Sequence, residues 1–312
     1  TVAGALIFVN GSPLLVGYLL PVFLGTADGL YITASQAYLV EVSPRNRLST
    51  MTALWFSGMT GGNLVGGLIG GAVAEWAGYT TLSIYIAISS VTVASLALAV
   101  LPSIGDGASV TSLRFRTTIA SYTSLLQQTP YQLLVAIQVL RTFFWGGFQI
   151  MGPIMIAGLS GSKFVIGLFV AATTGVGLAS MLLAGAFSDR QGRRGTVLIT
   201  LCGTAAGSVL IGLTTHNLIG LFAAGTLAAA FAWAFSGQIT PLAKELSQPR
   251  ESGRAMALVN APWSIAALGG AQIGGRMVAD QPSEAFWIFG GLALTAFLCA
   301  LILFHYLKQA RP

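Results

Sequence analysis

Two charged side chains, Asp28 and Arg141, fall near the middle of long apolar stretches rather than at their ends. No charged residue precedes Asp28 and the next after it is Glu41, while Arg141 has no charged neighbour between Arg116 and Lys163. A carboxyl group can take up and release a proton, and a guanidinium is a permanent cation. Together they can form an ion pair that separates during a working cycle. Of the two, Asp28 is the better proton carrier, its titration set by burial against the pull of a neighbouring arginine. The residues around them fall on helical faces. Gln138, Arg141, Trp145 and Gln149 are spaced 3, 4 and 4, and Asp28, Tyr31, Ser35 and Tyr38 are spaced 3, 4 and 3. On a third segment Thr226, Trp233 and Thr240 recur every seven residues. Asp28, Tyr31, Gln138, Arg141, Trp145, Gln149 and Trp233 are therefore the expected substrate and coupling residues. The alternative for Asp28 and Arg141 is a static pair that fixes packing. Asn63, Asn260 and Gln272 stay open between cavity lining and interhelix hydrogen bonds.

No other chemistry is legible. His216 and His305 have no partner at metal-ligand spacing. Cys202 and Cys299 lie in apolar runs and read as inert small residues. No phosphate-cradling loop and no catalytic triad is visible, so neither an enzyme nor direct use of ATP is expected. No cofactor is expected; a proton or another ion is the candidate for coupling.

The elements that must position these residues follow from where charge is missing. Of 312 residues 15 are Lys or Arg and 9 are Asp or Glu, so 8% are charged and 54% hydrophobic, with a mean hydropathy of +0.79. Soluble domains carry about 25% charge, which excludes that class, and disorder needs the opposite composition. Between Arg47 and Glu75 lie 27 uncharged residues, between Glu75 and Asp106 30, and between Arg194 and Lys244 49, enough for two spans around a turn at Thr215-His216-Asn217. A membrane-spanning helix needs ~20 apolar residues, and a period of two, the mark of barrel strands, is absent. The expected spans are Leu14–Val40, Thr50–Ala74, Leu82–Leu101, Tyr131–Pro153, Phe164–Phe187, Thr196–Leu213, Leu218–Thr240, Ala255–Val278 and Ala285–Leu307, with Thr1–Val9 the end of another.

When these spans alternate across a bilayer, 12 of the 15 basic residues fall on one side. Basic loops stay cytoplasmic, which puts the C-terminus inside and accounts for the net charge of +6 without nucleic acid. The polar stretch 103–129 reads as a cytoplasmic linker between residues 1–102 and 130–312. An internal repeat supports two halves: Pro44 and Pro249, Arg45 and Arg250, and Met51 and Met256 all lie 205 residues apart. Parallel repeats about an axis normal to the membrane characterise a class of secondary transporters. Carried across the chain, this offset leaves the first half short by two helices and part of a third. The expectation is therefore an N-terminally truncated, all-α polytopic protein.

The segment from Gly185 to Arg194, Gly-Ala-Phe-Ser-Asp-Arg-Gln-Gly-Arg-Arg, is a tight turn between two spans. Asp189 there can face a helix N-terminus. This G-x-x-x-D-R-x-G-R-R string resembles the signature loop of the major facilitator superfamily, in the copy between helices 8 and 9. Glu41 to Arg47 resembles that family's helix 4–5 loop, and Glu245 to Arg254 its helix 10–11 loop. The resemblance implies twelve helices in two pseudo-symmetric halves and a central cavity lined by helices 1, 4, 7 and 10. It also implies a cytoplasmic gate built from Glu41, Arg47, Gly185, Asp189, Arg190, Gly192, Arg193, Arg194, Glu245 and Arg250, with ordinary helix-end charge as the alternative for each. Gly58, Gly62, Gly66 and Gly70 form a four-residue ladder, and Ala266, Gly270 and Gly274 another, the spacing of close helix packing. Gly58-x-x-x-Gly62-Asn63-x-x-Gly66-Gly67 is similar to the family's antiporter motif, but Asn63 stands at its proline. Pro21 likewise stands where the drug-antiporter motif ending at Gly25 has arginine. The function implied is a monomeric, ion-coupled secondary transporter of the bacterial inner membrane, exporting a small organic solute by alternating access. Uptake of a sugar or metabolite is the alternative, and a non-transporting membrane protein is the rival of another class.

Overall fold

The computed structural model describes residues 27, 29–40, 42–100, 122–247 and 252–309, and the side chains of 45, 63–76, 78, 79, 82, 163, 164, 252 and 253 lie outside that description. The described residues are helical almost throughout: α1 (29–40), a 3₁₀ turn at Arg45–Arg47, α2 (Leu48–Val100), α3 (Thr129–Ser160), α4 (Lys163–Gln191), α5 (Arg193–Leu213), α6 (Leu218–Leu246), α7 (Ser252–Met277) and α8 (Pro282–Gln309). Among the described residues there is no strand. Each helix of the second half outruns its expected span, because hydropathy marks the part suited to lipid whereas backbone hydrogen bonding continues into the charged ends. Pro153, placed at a span end by sequence, lies inside α3.

The helix ends obey local chemistry. Pro130 sits in the first turn of α3, where its missing N–H costs nothing, and Gly161 closes that helix at φ 62° with its N–H on the Ala157 carbonyl. Ser162 caps α4, and Asn217 caps α6 by accepting the Gly220 N–H at 2.9 Å. Gly192, at φ 91°, makes the turn between α4 and α5, a conformation that favours glycine. The first half departs from expectation. Two spans were expected over 50–101, but α2 is one helix of 53 residues. The residues between the expected spans include no proline, and one glycine, Gly78, is too weak a breaker to end a helix.

The chain divides into two compact units, Thr1–Tyr38 with Gly62–Arg114, and Leu39–Gly61 with Phe115–Pro312. Residues 39–61, which the sequence assigns to the first half, thus pack with the second. In the first unit the stretch Ser83–Val100 is apolar and 6% buried. In the second, α3 packs on α7 and α8, α4 on α6, and α5 on α6 and α8. Its core combines Leu134, Val197, Phe235, Leu242, Val259 and Leu303 with a second cluster around Phe144, Phe148, Phe169, Phe286 and Phe289.

Glycine sets the closest helix contact. A Cβ on Gly146 would collide with the Ala267 carbonyl, and one on Gly270 with the Phe143 carbonyl, so α3 and α7 meet backbone to backbone. Gly274 continues this seam, where an added Cβ would lie 3.2 Å from Gly147 Cα. The other ladder behaves differently. A Cβ on Gly58 or Gly62 meets nothing within 4 Å, and the side-chain surroundings at Asn63, Gly66 and Gly70 lie outside the description. Large apolar side chains cover the outside of the second unit, Ile219 being 81% and Leu183 71% exposed. Such a surface suits lipid, and six described helices are long and apolar enough to cross a membrane.

Candidate functional site

Arg141 lies in the middle of α3 and is 3% exposed, the one buried charged side chain among the described residues. Its Nη2 donates to the Ala232 carbonyl and to Ser236 Oγ, both on α6 and both at 2.8 Å, and its guanidinium carbon stands 5.2 Å from the Phe235 ring centre. One turn further along α3, Trp145 meets Trp233 of α6 edge to face, with ring centres 4.8 Å apart. Gly177 of α4 makes room for the Trp233 indole, because a Cβ there would overlap the ring. Gln138, one turn before Arg141, is buried, and its Oε1 has no partner among the described residues. Thus four of the expected substrate residues, Gln138, Arg141, Trp145 and Trp233, come together on α3 and α6. Gln149 is exposed. Tyr31 is 57% exposed on α1, in the other unit. Asp28 lies outside the described residues.

A second polar cluster occupies the end of α4 and the turn after it. Asp189 faces the start of α2: Oδ1 accepts the Ser49 N–H at 3.0 Å, and Oδ2 accepts the Thr50 N–H and hydroxyl, each at 2.7 Å. The first N–H groups of a helix lack internal partners and form the positive end of its dipole, so a carboxylate there satisfies both needs. Arg193 reaches the Glu245 carboxylate at 2.5 Å, Ser49 Oγ at 3.3 Å and the Pro241 carbonyl at 3.3 Å. Lys244 donates to the Val40 carbonyl at the C-terminal end of α1, where a cation complements the dipole. An anion and a cation from the second half thereby hold the two helix ends that flank residues 41–47.

Gly185 permits this approach. A Cβ there would lie 2.9 Å from both Ala53 Cβ and the Ser49 carbonyl oxygen. Of the expected gate residues, then, Gly185, Asp189, Arg193 and Glu245 share one cluster, and Gly192 makes its turn. Arg47, Arg190 and Arg194 are exposed, while Glu41 and Arg250 lie outside the described residues. The sequence did not single out Ser49, Thr50, Ser236 or Lys244. For Ser49 and Thr50 the signal available was their place directly after the 41–47 loop, where a helix has to begin.

Described helices with an apolar exterior and glycine-tight contacts define an integral membrane protein. The sequence matches the Major Facilitator Superfamily over residues 134–312, and the chain belongs to that family. It is a family of transporters, not enzymes, so the partners it implies are a bilayer and a small-molecule solute. No curated protein sequence matches the chain. Among solved structures, a bacterial homologue of the iron transporter ferroportin in an outward-facing state superposes with a TM-score of 0.74 at 13% identity, over 99% of this chain and 80% of that one. The human organic anion transporter MFSD10 gives 0.75 at 14%, over 96% and 74%. The E. coli fucose:proton symporter gives 0.75 at 11%, over 97% and 81%. At such identities the likeness is one of fold.

Proposed function

We propose that the protein is an ion-coupled secondary transporter that moves a small organic solute by alternating access, in the direction of export, from a bacterial inner membrane with its C-terminus in the cytoplasm and as a monomer. The observation that carries this reading is the cluster of Asp189, Arg193 and Glu245. It ties the α4–α5 turn and α6 to the start of α2 through contacts that can be made and broken as a unit, which is what a gate requires. The antiporter marks are broken at Asn63 and Pro21, which weighs against a standard proton–drug exchange and suits the uptake reading below. Asp28 is the proposed proton carrier, and no other cofactor enters the scheme.

Uptake of a sugar or metabolite is the second reading. It is supported by the Trp145–Trp233 pair beside Gln138, a surface suited to a hydroxylated ring, and by the proton-coupled sugar symporters among the structural neighbours. The test is flux in proteoliposomes under imposed pH gradients of either sign, with a panel of labelled sugars, carboxylates and organic cations. Export predicts that solute and proton move in opposite directions, and that Asp28→Asn removes the pH dependence. Co-directional movement would replace export by uptake. Absence of flux for every solute, under either gradient, would leave the non-transporting reading.

A further inference from the structure

Arg141 poses a problem of charge. Both contacts that Nη2 makes are to neutral oxygens, the Ala232 carbonyl and Ser236 Oγ. Nε is buried without a partner, and no carboxylate pairs with the guanidinium among the described residues. Among the described residues this desolvated cation meets only neutral dipoles and the Phe235 ring, with no counter-charge, whereas buried charges are otherwise paired. The surroundings repeat the pattern. Gln138 Oε1 on α3 and Thr240 Oγ1 on α6, one turn from Arg141 and Ser236 respectively, are buried and likewise lack partners. One turn further along α3, Trp145 meets Trp233 of α6, the residue next to Ala232, and forms an aromatic pair. A cation with an unsatisfied edge, spare neutral hydrogen-bonding groups and an aromatic wall form a complementary set. Packing alone does not call for it, because an apolar residue at position 141 would avoid the cost.

We propose that Arg141 receives the charge of the transported solute, and that this solute is a small organic carboxylate with an apolar or aromatic body. The carboxylate takes the free edge of Arg141, where charge-assisted bonds are strongest. Gln138 and Thr240 take a further polar group of the solute, and the body lies against Trp145 and Trp233. Arg141 is a binding residue in this scheme, and its bonds to Ala232 and Ser236 hold the guanidinium in place while the site is empty. The inference rests on the transporter reading and names its substrate class.

The test begins with the full-length wild-type chain, purified and reconstituted. Binding is read by thermal stabilisation and counterflow, using acetate, lactate and benzoate, each beside its neutral amide, with D-glucose and inorganic phosphate as further probes. Benzoate is expected to bind at least tenfold more tightly than benzamide. Arg141→Gln is expected to abolish that preference and Arg141→Lys to retain part of it, each variant first checked for a monodisperse elution profile. Because the comparison of acid with amide is made on the wild-type protein, it stands even if a variant misfolds. Equal binding of acids and amides, binding of glucose or phosphate alone, or binding of no probe would overturn the proposal. So would recovery in an Asp28→Asn/Arg141→Gln double variant of whatever either single change loses, since that marks a static ion pair. Glucose flux without carboxylate binding would leave the transporter reading standing, whereas absence of all solute flux would remove both.

Discussion

Asp189 commits its whole carboxylate to the first turn of α2: three donors, two of them backbone N–H groups, reach its two oxygens within 3.0 Å. Hydrogen bonds to a charged group contribute about 1.5–3 kcal/mol each, and they are not additive. Replacement by alanine leaves those N–H groups unpaired in a part-buried site, and a loss of about 2–3 kcal/mol is expected. Asparagine keeps one acceptor but turns an amide donor toward a donor, so Asp189→Asn should recover less than half of that. Arg190→Ala, at the exposed neighbour, should change nothing. Thermal unfolding of the purified variants in detergent orders the three, and an Asp189→Ala protein as stable as wild type would remove the capping role. At this scale the motif made Asp189 legible as a residue able to face a helix N-terminus. Its partners were not legible, because the donors, two of them backbone groups, lie some 140 residues away. Arg141 was conspicuous as an isolated charge, yet nothing in a pattern of charges could point to the neutral Ala232 carbonyl and Ser236 hydroxyl that hold it.

Between helices the deciding quantity is the distance between backbones. On the α3–α7 seam a methyl group on Gly146 or Gly270 lands on a carbonyl of the facing helix, and a backbone cannot swing aside as a side chain can. Gly146→Ala and Gly270→Ala should each cost about 1–3 kcal/mol, the range of overpacked cores. Gly185→Ala, which meets the Ser49 carbonyl oxygen at 2.9 Å, should both destabilise and weaken the Asp189 cap beside it. At Gly58, where a Cβ meets nothing, alanine should be neutral or stabilising by up to about 1 kcal/mol through helix propensity. Melting temperatures of the four variants decide this, and a Gly58→Ala protein as damaged as Gly146→Ala would restore the ladder on α2 as a packing face. A four-residue period of small residues occurs on both α2 and α7, so the period alone could not say which of them was in contact. It records one helix, whereas contact depends on what faces it. The same limit explains α2: hydropathy could locate apolar stretches but not the continuity of the backbone between them, since no proline marked an end.

For the whole molecule, the family and the all-helical bundle were legible because charge-free runs, basic loops and the signature string are one-dimensional features. The placement of 39–61 with the second half was not, being the product of contacts between residues far apart in the chain. Those contacts bear on how the protein would cycle. A bond present in one conformation and absent in the other biases the equilibrium by its own free energy, and 1.4 kcal/mol shifts the populations tenfold. The Arg193–Glu245 pair is short but Glu245 is 43% exposed, so screening holds it below about 1 kcal/mol. The bonds from Arg193 to Ser49 and Pro241 lie at 3.3 Å and add about 1 kcal/mol together. If these contacts form the cytoplasmic gate, Arg193→Ala should populate a cytoplasm-open state roughly tenfold more than wild type. Thr240, fully buried on α6 next to Pro241, is a suitable reporter. In a background with Cys202 and Cys299 replaced by alanine, Thr240→Cys should react with a membrane-impermeant maleimide from the cytoplasmic side several-fold faster when Arg193→Ala is added. Arg194→Ala, at an exposed neighbour, should leave the rate alone. An unchanged rate with Arg193→Ala would mean that the cluster only anchors helix ends, and that whatever closes the cytoplasmic side lies elsewhere.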